Sequence, residues 1–412
     1  MLTGTNLVQT KQFNLRIVTE VIRVAGRVSR ADVARRTALT GQTVSNLVKE
    51  LIARGLVVEA ERRREGGRGA PATVLAINPD GAYAVGLDFN RDHLTGVLVD
   101  LAGTVRERAH LELELPTPGQ ALDLMTEMVE SLIGRRAAYR AHVCGVGIGI
   151  PGPMHRAEDG SGYVVNPKSF PGWHEIPIAT LLRERLALPV LLENNATAAA
   201  VGELWYGAGR QIRTFFYFFL GSGLGGALVV NGRPYGGATG NAGEVGYLPS
   251  TLAGGDDSAH VGLHFNLPRL YDALAAAGAP ARTVDDLDRL FAERHPVVTA
   301  WVDTAADYLA GLVLAVEYLV DPEAIIFGGR LPNRVVSALM ARVARQLPAR
   351  RIAEQVTGPR HLLAAAGGDA AALGVATLPI YNVFAPAPQV LHKAARRRGG
   401  PGLGIAAPHA AG

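Results

Sequence analysis

Three stretches of this chain carry side chains suited to binding or acting on a polar small molecule. In Leu192-Glu193-Asn194-Asn195-Ala196 two amides follow a carboxylate. An asparagine amide has no useful basicity, so Asn195 cannot serve as a general base, yet each amide both donates and accepts hydrogen bonds. The pair reads either as a ligand-binding pair or as the cap of a helix that begins near Ala196. Gly221-Ser222-Gly223-Leu224-Gly225-Gly226 gives the permissive backbone of a phosphate loop, although a β-hairpin asks for the same glycines. His260 and His264 stand four apart, a spacing that would put two metal ligands on one helical face, but no third ligand accompanies them and no metal is expected. The one cysteine, Cys144, lies in an apolar strand-like run and reads as a small buried hydrophobe, which excludes disulfides and cysteine-ligated zinc within the chain.

A different chemistry gathers at the N-terminus. Residues 1–80 carry 13 Lys and Arg against 7 Asp and Glu, residues 81–384 carry 24 against 30, and the tail 385–412 adds four basic residues. A cation excess attracts phosphates through counterion release, so the first segment is expected to contact double-stranded DNA. Its pattern agrees. Leu15, Val18, Val21, Ile22 and Ala25 recur at helical spacing between Phe13 and Gly26. Ser29 stands three residues before Asp32, a capping-box spacing that opens a short helix to about Arg36, and Ala38-Leu39 turns the chain. Thr40 caps a third helix whose Val44, Leu47, Val48 and Leu51 face inward. Gln42, Thr43, Ser45, Asn46 and Lys49 are left outside, as on a recognition helix that presents polar groups to base edges and phosphates. Gly55 ends that helix, and Leu56-Val57-Val58 with Val74 to Ile77 read as the strands of a wing. Arg62, Arg63, Arg64 and Arg68 at its tip suit phosphate contact and a narrow minor groove, or else form a basic linker.

The elements that must position the first set of residues lie in the longer remainder. At 412 residues with 48% hydrophobic content, the chain is large enough for two or three domains. A strand (Tyr83 to Phe89), a turn (Asn90 to Leu94), a second strand (Thr95 to Leu101) and a third (Val105 to Leu115) find an echo later. There Thr214 to Leu220 forms a strand, Gly221 to Gly226 turns, and Ala227 to Val230 pairs back. The echo implies two duplicated α/β lobes with a cleft between them. Helices are expected at 118–134, 178–187, 195–206, 284–294, 296–319 and 333–347. The expected domains are a winged helix-turn-helix at 1–80, a two-lobed effector domain at 81–384 and a disordered basic tail at 385–412. With no uncharged apolar run of about eighteen residues and no secretion-signal pattern, the sequence predicts a cytoplasmic protein that meets no membrane.

Several ordered motifs make the resemblance specific. They are the Ser29-Arg30 to Gly55 helix-turn-helix, Gly147-Ile148-Gly149-Ile150-Pro151-Gly152-Pro153, Pro167 to Trp173 and Leu192 to Ala196. Gly221 to Gly226, Gly240-Asn241-Ala242-Gly243-Glu244-Val245-Gly246, Asp321-Pro322-Glu323 and Gly328-Gly329-Arg330 follow. In these, all but the tail resembles the ROK family of repressors and sugar kinases. The resemblance implies an actin-like, ribonuclease-H-like fold, the ATPase and sugar-kinase fold, with a sugar site between the lobes. It further implies a homodimer or homotetramer that binds a DNA operator and answers to a sugar or sugar phosphate.

Carried over motif by motif, the resemblance makes Asn194, Asn195, Glu244 and Tyr247 the sugar site. Asn195 stands where the family kinases have the aspartate that takes the proton from the sugar hydroxyl, so no residue is expected to be catalytic. Tyr247 stands where kinases and many repressors have a histidine that helps bind sugar and structural zinc, and residues 248–266 lack the usual zinc-loop cysteines. The kinases' glycine-rich first turn reads Asp88-Phe89-Asn90-Arg91-Asp92 here, crowded and with an added negative charge at Asp92, so no nucleotide cofactor is expected. The leading reading is a sugar-responsive DNA-binding regulator, most naturally a repressor. A working sugar kinase with an accessory DNA-binding domain and a regulator answering to a partner protein are its rivals.

Alanine at Arg62, Arg63 and Arg64 together is expected to weaken binding of the full chain to all duplexes about equally, reducing the salt slope by up to about three. Alanine at Gln42, Thr43 or Asn46 is expected instead to change preference among sequences. Anisotropy titrations across salt concentrations and duplex sequences read both effects. A wing variant that altered preference while the helix variants did not would reverse the two roles.

Overall fold

The computed structural model describes residues 7–60, 73–157, 163–167, 170, 172–253, 260–352 and 358–384. Its N-terminal unit is built from α1 (Leu7–Ala25), β1 (Val28–Ser29), α2 (Arg30–Thr37), α3 (Gly41–Ala53), β2 (Val57–Ala60) and β3 (Val74–Ile77). Local chemistry sets each boundary. The Ser29 hydroxyl accepts from the Asp32 N–H at 3.2 Å and the Asp32 carboxylate accepts from the Ser29 N–H, the reciprocal capping box. Ala38, in the left-handed region at φ 56°, makes the turn, and the Thr40 hydroxyl caps α3 by accepting from the Thr43 N–H. The strands pair in the order β1-β3-β2, the small sheet of a winged helix.

The first lobe follows with β4 (Tyr83–Phe89), β5 (His93–Asp100) and β6 (Val105–Glu112), an antiparallel meander. After α4 (Pro118–Gly134) and α5 (Ala137–His142), β7 (Val143–Ile150) runs parallel to β4. A small hairpin, β8 (Met154–Arg156) and β9 (Tyr163–Val165), and α6 (Ile178–Leu186) lead to β10 (Val190–Asn194), parallel to β7. The next helix, α7 (Asn195–Tyr206), crosses to the second lobe. There β11 (Phe215–Leu220), β12 (Leu224–Val230) and β13 (Arg233–Tyr235) form a second meander. Helices α8 (Leu267–Ala276), α9 (Val284–Ala292) and α10 (Pro296–Val320) precede β14 (Ala324–Gly329), and α11 (Asn333–Gln346) precedes β15 (Arg360–Leu363). The sheets read β10-β7-β4-β5-β6 and β13-β12-β11-β14-β15. Each is three antiparallel strands joined to two parallel ones, so one topology occurs twice, as the sequence echo implies.

Both hairpin turns are shorter than expected. The first spans only residues 90–92, because His93 is fully buried and held by Asp88 and Asp92 as the first residue of β5. The second spans 221–223, because Leu224 already pairs with Leu220. The helices expected beyond residue 81 are all present within a residue or two, α1 begins at Leu7, six residues before the expected Phe13, and α5, α8 and α12 (Ala370–Phe384) were not anticipated. Helix α12 is apolar on nearly every side and contains Pro379, so it shows no amphipathic period.

That last helix ties the molecule together. It lies across β4 and β7 and packs along α7 at backbone contact. A Cβ added at Gly374 would stand 1.7 Å from the Ala198 carbonyl oxygen, and one at Gly202 would stand 2.1 Å from that of Ala370. Under the sheet, Gly86 and Gly147 admit the helix backbone just as closely. At its far end, Ile380 and Phe384 enter the same core as Leu15, Val18 and Ile22 of α1 and Ala84 and Leu101 of the first lobe. The Arg16 guanidinium donates to the Asn382 carbonyl at 3.0 Å, and Arg23 lies 4.0 Å over the Trp205 ring at the end of α7. The N-terminal unit is therefore seated on the first lobe through one continuous apolar core.

By length and composition α10 is apolar enough to cross a membrane. Its Val302, Leu309 and Val313 instead form the core of the second lobe, and its Asp303 and Asp307 bond Arg342 and Gln346 of α11. The wing tip and the tail from Ala385 lie outside the described residues.

Candidate functional site

Between the lobes opens a cleft of about 340 Å³. The first lobe contributes Asn90, Arg91, Pro151, Gly152, Asn194 and Asn195. The second contributes Ser222 to Gly225, Glu244, Gly246, Tyr247, His260 and Asn266. All four residues expected to touch a sugar thus line one cavity.

Asn194 ends β10 and caps α7, its side-chain oxygen accepting from the Ala196 N–H at 2.8 Å and the Thr197 N–H at 3.4 Å. Its amide nitrogen donates to Glu244 Oε1 at 3.0 Å, so the residue is both helix cap and cleft residue. Of the two readings left open by the sequence, the helix cap is present at Asn194, and the same residue lines the cavity. Asn195 is the first residue of α7 and is buried beside it. Burial raises the Glu244 carboxyl above its ordinary pKa, while the Asn194 amide pulls the other way. A Cβ at Gly152 would come within 2.2 Å of Glu244 Oε1, so a side chain there would displace the Glu244 carboxylate from its present position.

Tyr247 closes a short 3-10 turn with its ring 5.5 Å from that of His260. His260 Nδ1 donates to the Gly246 carbonyl at 2.8 Å, which fixes its tautomer. His264 goes elsewhere, stacking on Tyr308 at 3.7 Å and approaching the Ser250 hydroxyl at 3.3 Å. The two histidines therefore do not converge, and among the described residues no three His, Cys, Asp or Glu side chains gather as metal ligands. With Tyr247 in place of a histidine, these residues do not fit the family's zinc site. Arg91, Asn90, His260 and Asn266 also line the cleft and were not picked out as binding residues. The sequence marks Arg91 and Asn90 only as replacements for glycine.

The first turn holds a closed charge cluster. His93 Nε2 lies 3.2 Å from Asp88 Oδ2, and His93 Nδ1 lies 2.6 Å from Asp92 Oδ1. Burial works against a charged imidazole, but the bonds to Asp88 and Asp92 outweigh it and push His93 up to about 9. Asp92 is likewise penalised by burial, yet His93 and the nearby Arg330 hold it below the ordinary carboxylate range. It faces His93 and is not among the cleft-lining residues, so the extra negative charge expected in the phosphate path is neutralised from behind. The Asn90 side-chain oxygen accepts from the Arg91 N–H at 2.8 Å and from the Ser222 hydroxyl at 3.3 Å, bridging the turns of the two lobes. That bond takes up a backbone N–H a triphosphate would use, and Asp88 is bound to an imidazolium. The turn does not fit a nucleoside triphosphate with its metal ion.

On α3, Gln42, Asn46 and Lys49 are exposed and Thr43 and Ser45 half-buried, while Val44, Leu47, Val48 and Leu51 are buried. Glu50, the helix's one acidic group, is turned onto Lys11 and Arg54, leaving the outer face free of negative charge. The arginines at 62, 63, 64 and 68 lie outside the described residues.

Comparison with known proteins agrees with this arrangement. Residues 84–262 match the ROK family and residues 13–69 match the MarR family. The chain is 29% identical over 238 residues to the xylose repressor of Bacillus spizizenii, a match spanning 58% of this chain and 60% of the repressor. It is 27% identical over 310 residues to a glucokinase of Halalkalibacterium halodurans, covering 67% of this chain and 92% of the kinase. A solved ROK family transcriptional regulator, homologous to the Escherichia coli Mlc protein, superposes with TM-score 0.70 at 20% identity. That superposition covers 91% of this chain and 98% of the regulator. The last likeness concerns the fold alone.

The His93 cluster makes stability depend on pH. A folded pKa raised to about 9 from 6.5 contributes stability that is fully present below about pH 6.5 and is lost as pH rises through 9. Urea unfolding of wild type and His93→Gln is expected to show a gap of roughly 1–3 kcal/mol at pH 6.5 that shrinks by pH 9.5. A gap that widened with pH would mean the imidazole is neutral in the folded state.

Proposed function

From the premise that this chain joins a MarR-family winged helix to a ROK-family domain, we propose that it is a transcriptional regulator of the repressor kind. On this reading it binds DNA through α3 and the wing, binds a sugar or sugar derivative in its interlobe cleft, and transfers no phosphoryl group. The state of the cleft carries the reading. Its polar wall keeps hydrogen-bonding groups for hydroxyls in Asn194, Asn195 and Glu244, while the base position holds an amide and Asp88 is paired with His93. The similarity to a xylose repressor supports a carbohydrate effector, and the similarity to a glucokinase supports the ancestry of the site.

The route from cleft to DNA runs through packed backbone. A ligand that hydrogen-bonds both Asn194 on the first lobe and Glu244 on the second replaces their direct bond and shifts the N-terminus of α7 relative to the second lobe. Because α7 and α12 are in backbone contact at Gly202 and Gly374, α12 follows, and its end at Ile380 and Phe384 shifts the seat of α1. Two such heads in a homodimer or homotetramer, acting in the cytoplasm, would then change spacing relative to paired half-sites. The effector's differential affinity for the two arrangements sets the size of the response.

Thermal-shift screening of a sugar panel identifies the effector, since a ligand that binds only the folded state raises its stability. With that sugar, Asn194→Ala and Glu244→Ala are each expected to weaken binding by about 10–100-fold, the cost of leaving a buried partner unpaired. The effector concentration that changes DNA affinity should rise by the same factor. An effector response unchanged in both variants would point to a partner protein as the signal.

A further inference from the structure

A second cavity, of about 500 Å³, opens where α7 ends, between a 3-10 turn (Ala208–Gln211) and β15. It lies at the end of the second sheet away from the interlobe cleft. Arg360 on its wall is level with Ala324 and Phe215, the first residues of β14 and β11, whereas the cleft lies beyond the last residue of β11, Leu220. Arg210 comes from the turn and Arg360 from β15, so the cavity has a guanidinium on each of two walls. Neither guanidinium, nor the Gln211 amide beside them, has a hydrogen-bond or ion-pair partner among the described residues. Two cations bordering one space gain from an anion placed between them.

No carboxylate is among the described residues that line this cavity. The acidic groups at this end of the sheet are engaged elsewhere. Glu203 is fully buried and uses both carboxylate oxygens on the N–H groups of Ala208, Ala365 and Ala366, while Glu323 accepts from the N–H groups of Arg213 and Thr214. Ile212 and Leu362 are the only large apolar side chains on the wall, so the space suits a ligand that is mostly charge and hydrogen-bonding groups.

We propose that this cavity is a second ligand site, which binds a small anion of two or more negative charges between Arg210 and Arg360 with Gln211 as a further donor. A planar guanidinium matches a phosphate and a carboxylate equally well, so the ligand class is a phosphate ester or a di- or tricarboxylate. Its position gives the site a consequence. The turn continues directly from α7, and β15 leads through Ala365 and Ala366 into α12, so a bound anion links the two segments beside the helices that reach the core shared with α1. The site is independent of whether the interlobe cleft holds a sugar.

The test is calorimetric titration of the full chain with inorganic phosphate, pyrophosphate, succinate and citrate at constant ionic strength, with potassium chloride as the control. At least one of the four should bind saturably with a dissociation constant of about 1 mM or tighter. Arg210→Gln and Arg360→Gln should each weaken that binding about tenfold or more, the usual loss for a charge-assisted hydrogen bond. Tighter binding of the two phosphates would assign the site to phosphate esters, and tighter binding of the two carboxylates to organic acids. Arg213→Gln removes an exposed arginine that does not line the cavity and should change the affinity by no more than about twofold. Unfolding midpoints show that each variant is folded. Binding weakened as much by Arg213→Gln as by the cavity variants would mean diffuse attraction to a basic surface and would overturn the proposal. Binding that survives both cavity variants would place the anion elsewhere and overturn it too, as would the absence of saturable binding by any of the four anions.

Discussion

The backbones of α7 and α12 touch, and that contact ties the interlobe cleft to the core shared with α1. Side chains usually stand between packed helices and allow them to slide by changing rotamer. Here Gly202 and Gly374 leave none, and a methyl group at either would overlap a carbonyl oxygen of the facing helix. The same helix presses on β4 and β7 at Gly86 and Gly147. The far end of α7 is fastened as well. The fully buried Glu203 carboxylate accepts from the N–H groups of Ala208, Ala365 and Ala366, fixing α7 to the segment that leads into α12. Helices α7 and α12 with the centre of the first sheet form one stiff block, with the cleft at one end and the core shared with α1 at the other.

A stiff block makes a small change at the cleft visible far away, because close-packed interiors shift between discrete arrangements instead of deforming gradually. Asn194 is well placed to start such a change, since the same side chain caps α7 and reaches Glu244 in the second lobe. The first turn is fixed in another way, with His93 clamped between Asp88 and Asp92. In a kinase-like fold that arrangement substitutes an internal cation for an external one. The cleft wall keeps the hydrogen-bonding side chains of Asn194, Asn195 and Glu244.

Much of this was legible from residue order. The capping box at Ser29 and Asp32, the Thr40 cap and the inward face of α3 are set by contacts within a few residues, and the structure has them as the sequence implies. The paired meanders were visible as a repeated strand and turn pattern, and the motifs around Asn194 and Glu244 led to one cavity. What escaped depended on distant contacts. Helix α12 is apolar all round, so its pattern carried no period. His93 looked like part of a turn because its burial comes from packing elsewhere in the fold, although the partners that hold it, Asp88 and Asp92, are its sequence neighbours. Arg91 read as an obstacle to phosphate because its spacing showed a missing glycine. Only the cavity shows that Arg91 lines the ligand space.

Linkage offers the most direct test of the central claim, that one conformational equilibrium joins cleft and DNA. If an effector changes DNA affinity by some factor, DNA must change effector affinity by the same factor. Calorimetric measurement of the effector dissociation constant, with and without saturating duplex selected for binding to the full chain, reads that factor from the cleft side. The account predicts a change of about 5–150-fold that equals the effector's own effect on DNA affinity. Effector affinity unaffected by DNA, for a ligand lost on substitution of Asn194, would contradict it.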